Sequence, residues 1–233
     1  MNRVVKQQGF TLIELMLAMA FISVLLLAIA TTVIQVGTIY NHGMTLKEVN
    51  QTSREIASDV RRSVASSTQI VLADDYIETS AGGRVCLGSV TYIWNYAKTS
   101  PTDWNIVNYK GKPARLLKVE DSTRFYCIKN GLGMILNKNI VAADESKTLE
   151  LLQSGDKNLG VHNFRFTSQP TSVDNITGQQ LYVLNYTIGT TNIPALNFIG
   201  TKTDCKAPGE PGADPVYCNV QQFSLVLRAG SKY

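Results

Sequence analysis

One feature constrains this chain more than any other: a mostly apolar run, Phe10–Val36, that directly follows a short polar segment. At 27 residues it is long enough to span a bilayer as a helix. Glu14 is the only ionisable side chain in it. A carboxylate in the hydrocarbon layer costs a few kcal/mol, about 3 on insertion scales, so it normally has a partner or a function. The preceding segment, residues 1–9, carries Arg3 and Lys6 and ends in Gly9. An ordinary secretory signal has a shorter apolar region and a cleavage site after it. Here the natural break, Gly9–Phe10, lies before the apolar run, so cleavage there keeps the hydrophobic helix on the mature chain.

The basic tip favours a cytoplasmic N-terminus under the positive-inside rule. Lys47, on the far side, weakens that bias. Four cysteines argue the same orientation more strongly: Cys86, Cys127, Cys205 and Cys218 are an even set in a chain with an export signal, which favours disulfides outside the cytoplasm. Four cysteines allow three connectivities, and sequence alone does not choose. Neighbour pairing, Cys86–Cys127 and Cys205–Cys218, is the expectation. The second pair brackets a loop rich in proline and glycine, and the first lies on two expected strands. No CxxC pair occurs, and His42 and His162 are the only histidines, so no metal site is expected.

Residues 44–65 read as a continuation of the helix. Val49, Ser53, Ile56, Val60 and Val64 form a one-sided stripe. Lys47, Glu48, Arg54, Glu55, Asp59, Arg61 and Arg62 fill the rest of the surface, a pattern usually just solvated. Gly37 and Asn41-His42-Gly43 weaken the helix between its halves. A helix from Phe10 to Ala65 would be about 84 Å long. The expected organisation is therefore 1–9 polar leader, 10–36 membrane-spanning half-helix, 37–65 amphipathic half-helix and 66–233 extracytoplasmic head.

Beyond Ser66 the helical period fades. Val90–Tyr96 alternates as a strand, and Val161–Thr167, Leu181–Ile188 and Val220–Leu227 read as strands too. Arg124–Lys129 and Met134–Val141 flank Asn130-Gly131, a hairpin signal. Gln169–Gln179 and Lys202–Pro215 read as loops. Strands following a long helix indicate an α+β head whose antiparallel sheet covers the apolar stripe.

The string Gly9-Phe10-Thr11-Leu12-Ile13-Glu14-Leu15-Met16 resembles the prepilin motif of type IV pilins and type II secretion pseudopilins. The resemblance is strongest over residues 1–65. It implies that Gly9–Phe10 is the bond cut by a prepilin peptidase and that Phe10 becomes an N-methylated terminus. It also implies that Glu14 pairs with the terminal amine of a neighbouring subunit. The partners implied are other pilin subunits, the prepilin peptidase and an inner-membrane assembly platform. The head length and the Arg54…Asp59-Val60-Arg61-Arg62 stretch are similar to PilW-like minor pilins and J-type minor pseudopilins.

Catalytic constellations are largely missing from the sequence. There is no Gly-rich phosphate loop, GxSxG elbow or HExxH pair, so neither enzyme activity nor a cofactor is expected. The net charge of +4, falling to +4 − 2 = +2 without Arg3 and Lys6, is no nucleic-acid footprint. Asp74-Asp75 reads as a solvated turn. Asn50, Asn175 and Asn185 each open an N-x-Thr triplet, a pattern that arises often by chance. Tyr92, Trp94, Tyr96 and Trp104 read as packing aromatics before a ligand surface. The reading is a minor pilin, inserted in the membrane and then incorporated into a filament, with adhesion, motility or DNA uptake as candidate tasks. The alternatives are a minor pseudopilin, a major pilin and a single-pass membrane-anchored binding protein.

Overall fold

The structure is a computed structural model, and it describes residues 11–129, 135, 139–152, 158–168, 179–200 and 202–229. Helix α1 runs unbroken over Leu12–Ala65, 54 residues, or about 81 Å at 1.5 Å per residue. Thr11 caps its N-terminus and Ser66 its C-terminus. The weak points at Gly37 and Gly43 do not break it. A Cβ at either position would meet open space, and Thr45 Oγ1 donates to the Asn41 carbonyl at 3.1 Å across that region.

After a one-turn helix, α2 (Leu72–Asp75), the chain builds a five-stranded antiparallel sheet. Its strands are β1 (Tyr76–Glu78), β2 (Gly82–Leu87), β3 (Val90–Asn95), β6 (Leu116–Glu120) and β7 (Thr148–Glu150), in the order β1-β2-β3-β6-β7. The short strands β4 (Asn108–Tyr109) and β5 (Lys112–Pro113) form their own pair. A second sheet has the order β12-β9-β8, from β8 (Leu159–Ser168), β9 (Gln180–Thr190) and β12 (Val220–Ala229). Strands β10 (Leu196–Ile199) and β11 (Lys202–Cys205) pair outside it.

The fold is thus α+β, with the α1 stripe buried against antiparallel strands. Two sheets share that task where one was expected. Val49, Ile56, Val60 and Val64 join Tyr92 and Trp94 of β3 and Phe164, Tyr182, Tyr186 and Ile188 of β8 and β9 in one core. Aromatic rings carry the contact between sheets: Trp94 and Phe164 centroids lie 4.7 Å apart. A second cluster, with Ile93, Leu117, Val119 and Tyr126, packs on the other face of the five-stranded sheet. That is why most of β3 is buried on both faces and loses the expected in–out alternation; β2 loses it too, with Cys86 in a cluster with Ile77 and Cys127. Strand β2 can lie against Trp94 only because Gly82 and Gly83 have no side chain. A Cβ on Gly83 would sit 2.5 Å from the indole, and one on Gly82 would strike the Trp94 carbonyl oxygen.

Three local expectations are corrected. Phe125–Cys127 is a 3-10 turn and no strand. The Asp121 carboxylate accepts the Phe125 and Tyr126 N–H groups at 2.8 and 3.1 Å, which bends this backbone away from a ladder. Of the expected hairpin, Lys129 and Ile135 form a single antiparallel bridge, and Asn130-Gly131 lies outside the described residues. The expected loop from Lys202 begins as β11, held in register by β10 with Leu196 opposite Cys205. Asp75 is buried, not solvated. It forms an ion pair with Arg124 and accepts the Val71 N–H at 2.6 Å. The Gln169–Gln179 loop falls outside the described residues except for Gln179.

Candidate assembly surface

Every residue from Thr11 to Tyr40 is exposed. Leu12, Phe21, Leu26 and Ile39 are among the apolar side chains that project around this half of α1. A helix apolar on all sides needs an apolar environment on all sides. By length and composition α1 is able to cross a membrane, and it is the only described helix that is. An exposed apolar surface of this size marks a membrane or protein contact.

Glu14 stands in the first turn of that surface. Its Oε2 accepts the Thr11 backbone N–H at 2.9 Å and the Thr11 hydroxyl at 2.8 Å. Thr11 Oγ1 in turn accepts the Glu14 N–H at 3.4 Å. This capping box satisfies helix donors that would otherwise be orphaned, and it places a negative charge at the positive end of the helix dipole. Both of these bonds fall on Oε2, and Oε1 accepts none among the described residues.

The other half of α1 is tied to the head. Thr45, Val49, Ser53, Ile56, Val60, Ser63 and Val64 are buried along one side. Asp59 leaves the solvated pattern expected for the helix surface. Its Oδ1 receives the Lys118 ammonium at 2.8 Å, and its Oδ2 accepts the Tyr92 hydroxyl at 2.6 Å. The Tyr92 hydroxyl also lies 2.7 Å from Ser63 Oγ. Burial, then the Asp59 carboxylate, pushes the Tyr92 phenol well above its usual range. Tyr186 donates to the Ser53 carbonyl at 2.8 Å, and burial raises its pKa to about 12. Just past the helix, Tyr182 donates to the Ile70 carbonyl at 2.7 Å and accepts the Ile70 N–H at 3.0 Å. Phenols at these depths stay neutral, so the tethers persist across the physiological pH range.

Two disulfides stabilise the head. Cys86 of β2 is joined to Cys127 of the 3-10 turn with Cα atoms 6.4 Å apart. Cys205 of β11 is joined to Cys218, next to β12, at 5.9 Å. Beside the first pair, the buried Arg84 guanidinium donates to the Tyr126 carbonyl at 2.8 Å, and burial lowers its pKa to about 10. The structure therefore brings the cysteines together in neighbour pairs. It keeps Glu14 apart from them, since Thr45, where burial begins, is 31 residues further along one continuous helix, about 46 Å. Arg3, Lys6, Gly9 and Phe10 lie outside the described residues. Sequence reasoning missed Asp59 with Lys118 and the three tyrosine tethers. The available signal was weak: an acid at the border of the apolar stripe, and tyrosines at inward strand positions.

These features define a class: an α+β head carried on one long helix whose far half is apolar on every side. Residues 5–30 match the family model described as the prokaryotic N-terminal methylation motif. That match supports a place among type IV pilins and pseudopilins, families of structural subunits. No curated protein and no solved structure matched the chain.

Proposed function

We propose that this chain is a structural subunit of a type IV filament, a minor pilin that helps to start or cap assembly. In this reading the bond Gly9–Phe10 is cut by a prepilin peptidase, Arg3 and Lys6 leave with the leader, and Phe10 becomes the methylated N-terminus. Residues 10–36 lie in the membrane and later in the filament core, and the head remains outside. Glu14 then meets the terminal amine of a neighbouring subunit. An amine and a carboxylate each cost energy when buried alone, and paired in a low-dielectric bundle they leave no orphan charge. Such a pair specifies axial position more than it adds stability.

The observation that carries this reading is the combination at the N-terminus: a methylation motif over residues 5–30 and a lone carboxylate in the first turn of a helix that is exposed and mostly apolar from Thr11 to Tyr40. The capping box adds a consequence. Glu14 is already held by Thr11 through one oxygen, so an incoming amine can bind the other without uncapping the helix.

The experiment is the filament-to-membrane ratio of Glu14→Ala beside wild type, by immunoblot of sheared filaments and membranes. The variant is expected to be processed, folded and membrane-resident, and depleted from filaments. N-terminal mass spectrometry of the same membranes should find a chain beginning at Phe10. A mature chain that retains Met1, or an unchanged ratio, defeats the assignment.

A further inference from the structure

The exposed side of α1 beyond the membrane half carries two charged flanks. At 100° per residue, Lys47, Arg54 and Arg61 recur every seven residues and share one edge of the exposed face. Glu48 and Glu55, with the same spacing, lie on the opposite edge. The basic edge is exposed along its length. The acidic edge opens into a groove of about 480 Å³ between α1 and β7, lined in part by Glu48, Glu55, Leu149 and Glu150. Asp59 also faces this groove, but Lys118 already neutralises it. Among the described residues, none of Lys47, Arg54, Arg61, Glu48 and Glu55 makes a salt bridge. Glu55 Oε1 accepts the Gln51 side-chain amide at 3.2 Å. Arg54 and Glu48, like Arg61 and Glu55, are six positions apart, about 120° around the helix.

We propose that the basic flank of one copy docks on the acidic groove of a second, parallel copy, which is raised along the helix axis by six residues. This rests on the filament reading, with two copies of the chain side by side where a filament starts. At that offset Arg54 of the lower copy faces Glu48 of the upper one, and Arg61 faces Glu55. Lys47 then faces Asn41 and meets no like charge. The competing alignment, Lys47 on Glu48 and Arg54 on Glu55, drives Arg61 against Arg62. Six residues correspond to an axial step of about 9 Å. The spacing of Glu14 from Phe10 asks for a neighbour raised by four residues, about 6 Å, in the same direction. The two charge patterns on one helix thus agree in sense, and their axial steps differ by about 3 Å. The contact is heterologous, because each copy offers its basic edge to one neighbour and its acidic edge to another. Such contacts propagate as open helical filaments when they do not close into rings.

The test uses the full chain in its own membranes, carrying Arg54→Lys, with two co-expressed copies bearing different epitope tags. A zero-length carbodiimide joins an amine to a carboxylate only where they touch. The expected product is a dimer with both tags, its cross-link mapped between position 54 of one copy and Glu48 of the other. Adding Arg61→Glu should lower its yield roughly tenfold, since one attraction becomes a repulsion. Adding Glu55→Arg to that variant should restore the yield to within about twofold. Absence of the dimer, a bond to another carboxylate, coupling to a different membrane protein, or indifference to Arg61→Glu overturns the proposal. The two readings fail separately. A mapped dimer in membranes with no chain in sheared filaments keeps the docking and removes the filament. Filament entry without the mapped dimer does the reverse.

Discussion

The two halves of α1 share one backbone and face opposite problems. From Thr11 to Tyr40 every residue is exposed and apolar groups surround the axis. From Thr45 to Val64 the apolar groups narrow to a buried stripe and charges occupy the remainder. The second half finds its partner within the chain, in the strands of two sheets. The first half has no partner among the described residues of the head, so its surroundings come from outside. A helix therefore reports its environment through the angular width of its apolar surface. Helix propensity says little here, because the backbone runs straight through Gly37, His42 and Gly43 whatever surrounds it.

The same charge placed in each half of α1 has unequal expected effects. Ile56→Asp puts an unpaired carboxylate into the core and should destabilise the head by about 4–5 kcal/mol. Leu26→Asp should leave head stability within about 0.5 kcal/mol of wild type. Denaturant melts of the full chain in detergent, followed by near-UV circular dichroism, report both. A loss of head stability in Leu26→Asp of the Ile56→Asp size would mean that the exposed half is coupled to the head after all.

Next in size are the disulfides, which secure the half that has a partner. Cys86–Cys127 closes a sequence separation of 41 and Cys205–Cys218 one of 13. The chain-entropy model gives about 4 and about 3 kcal/mol for loops of these lengths. Paired Cys→Ala variants should lower the denaturant midpoint in that order. Non-reducing peptide mapping should recover the two neighbour links, and a Cys86–Cys205 or Cys86–Cys218 peptide would rule the pairing out.

The smallest effect sharpens the comparison through pH. His162 is buried on β8, with Nε2 3.0 Å from the Thr190 carbonyl and Nδ1 without a hydrogen bond. Burial lowers its pKa from the ordinary 6.5. The unfolded chain therefore takes up a proton on this side chain before the folded one does. Its contribution to stability is full above about pH 6.5 and shrinks as pH falls from there toward the lowered folded value. Head melting temperature should drop between pH 7.5 and 5.5, and His162→Gln should flatten that part of the profile. An identical slope in the variant would assign the acid sensitivity elsewhere.

The N-terminal helix was legible in the sequence because its signals are local. A mostly apolar run of 27 residues, the one carboxylate in it and a stripe with a helical period need no distant contact to be read. Much of the head was not legible. Strands β3, β8, β9 and β12 stood out by β-branched and aromatic runs. The strand β2 did not, because Gly82 and Gly83 are there for the close approach of Trp94, a reason that lies in another strand. Phe125–Cys127 has the composition of a strand, and Asp121 turns it into a 3-10 turn through two backbone hydrogen bonds.

What the sequence determined by itself was a long helix able to cross a membrane, a carboxylate in its first turn, and an α+β head. Hydrophobic period and length are one-dimensional properties, and the solvent reads them directly. Which polar groups lose their water depends on how the head packs. Asp59 and Asp75 look like surface acids in sequence. Folding half-buries Asp59 against Lys118 and Tyr92, and buries Asp75 beside Arg124. A carboxylate can leave water only where a cation and hydrogen-bond donors converge on it, and that convergence exists only once distant strands have packed.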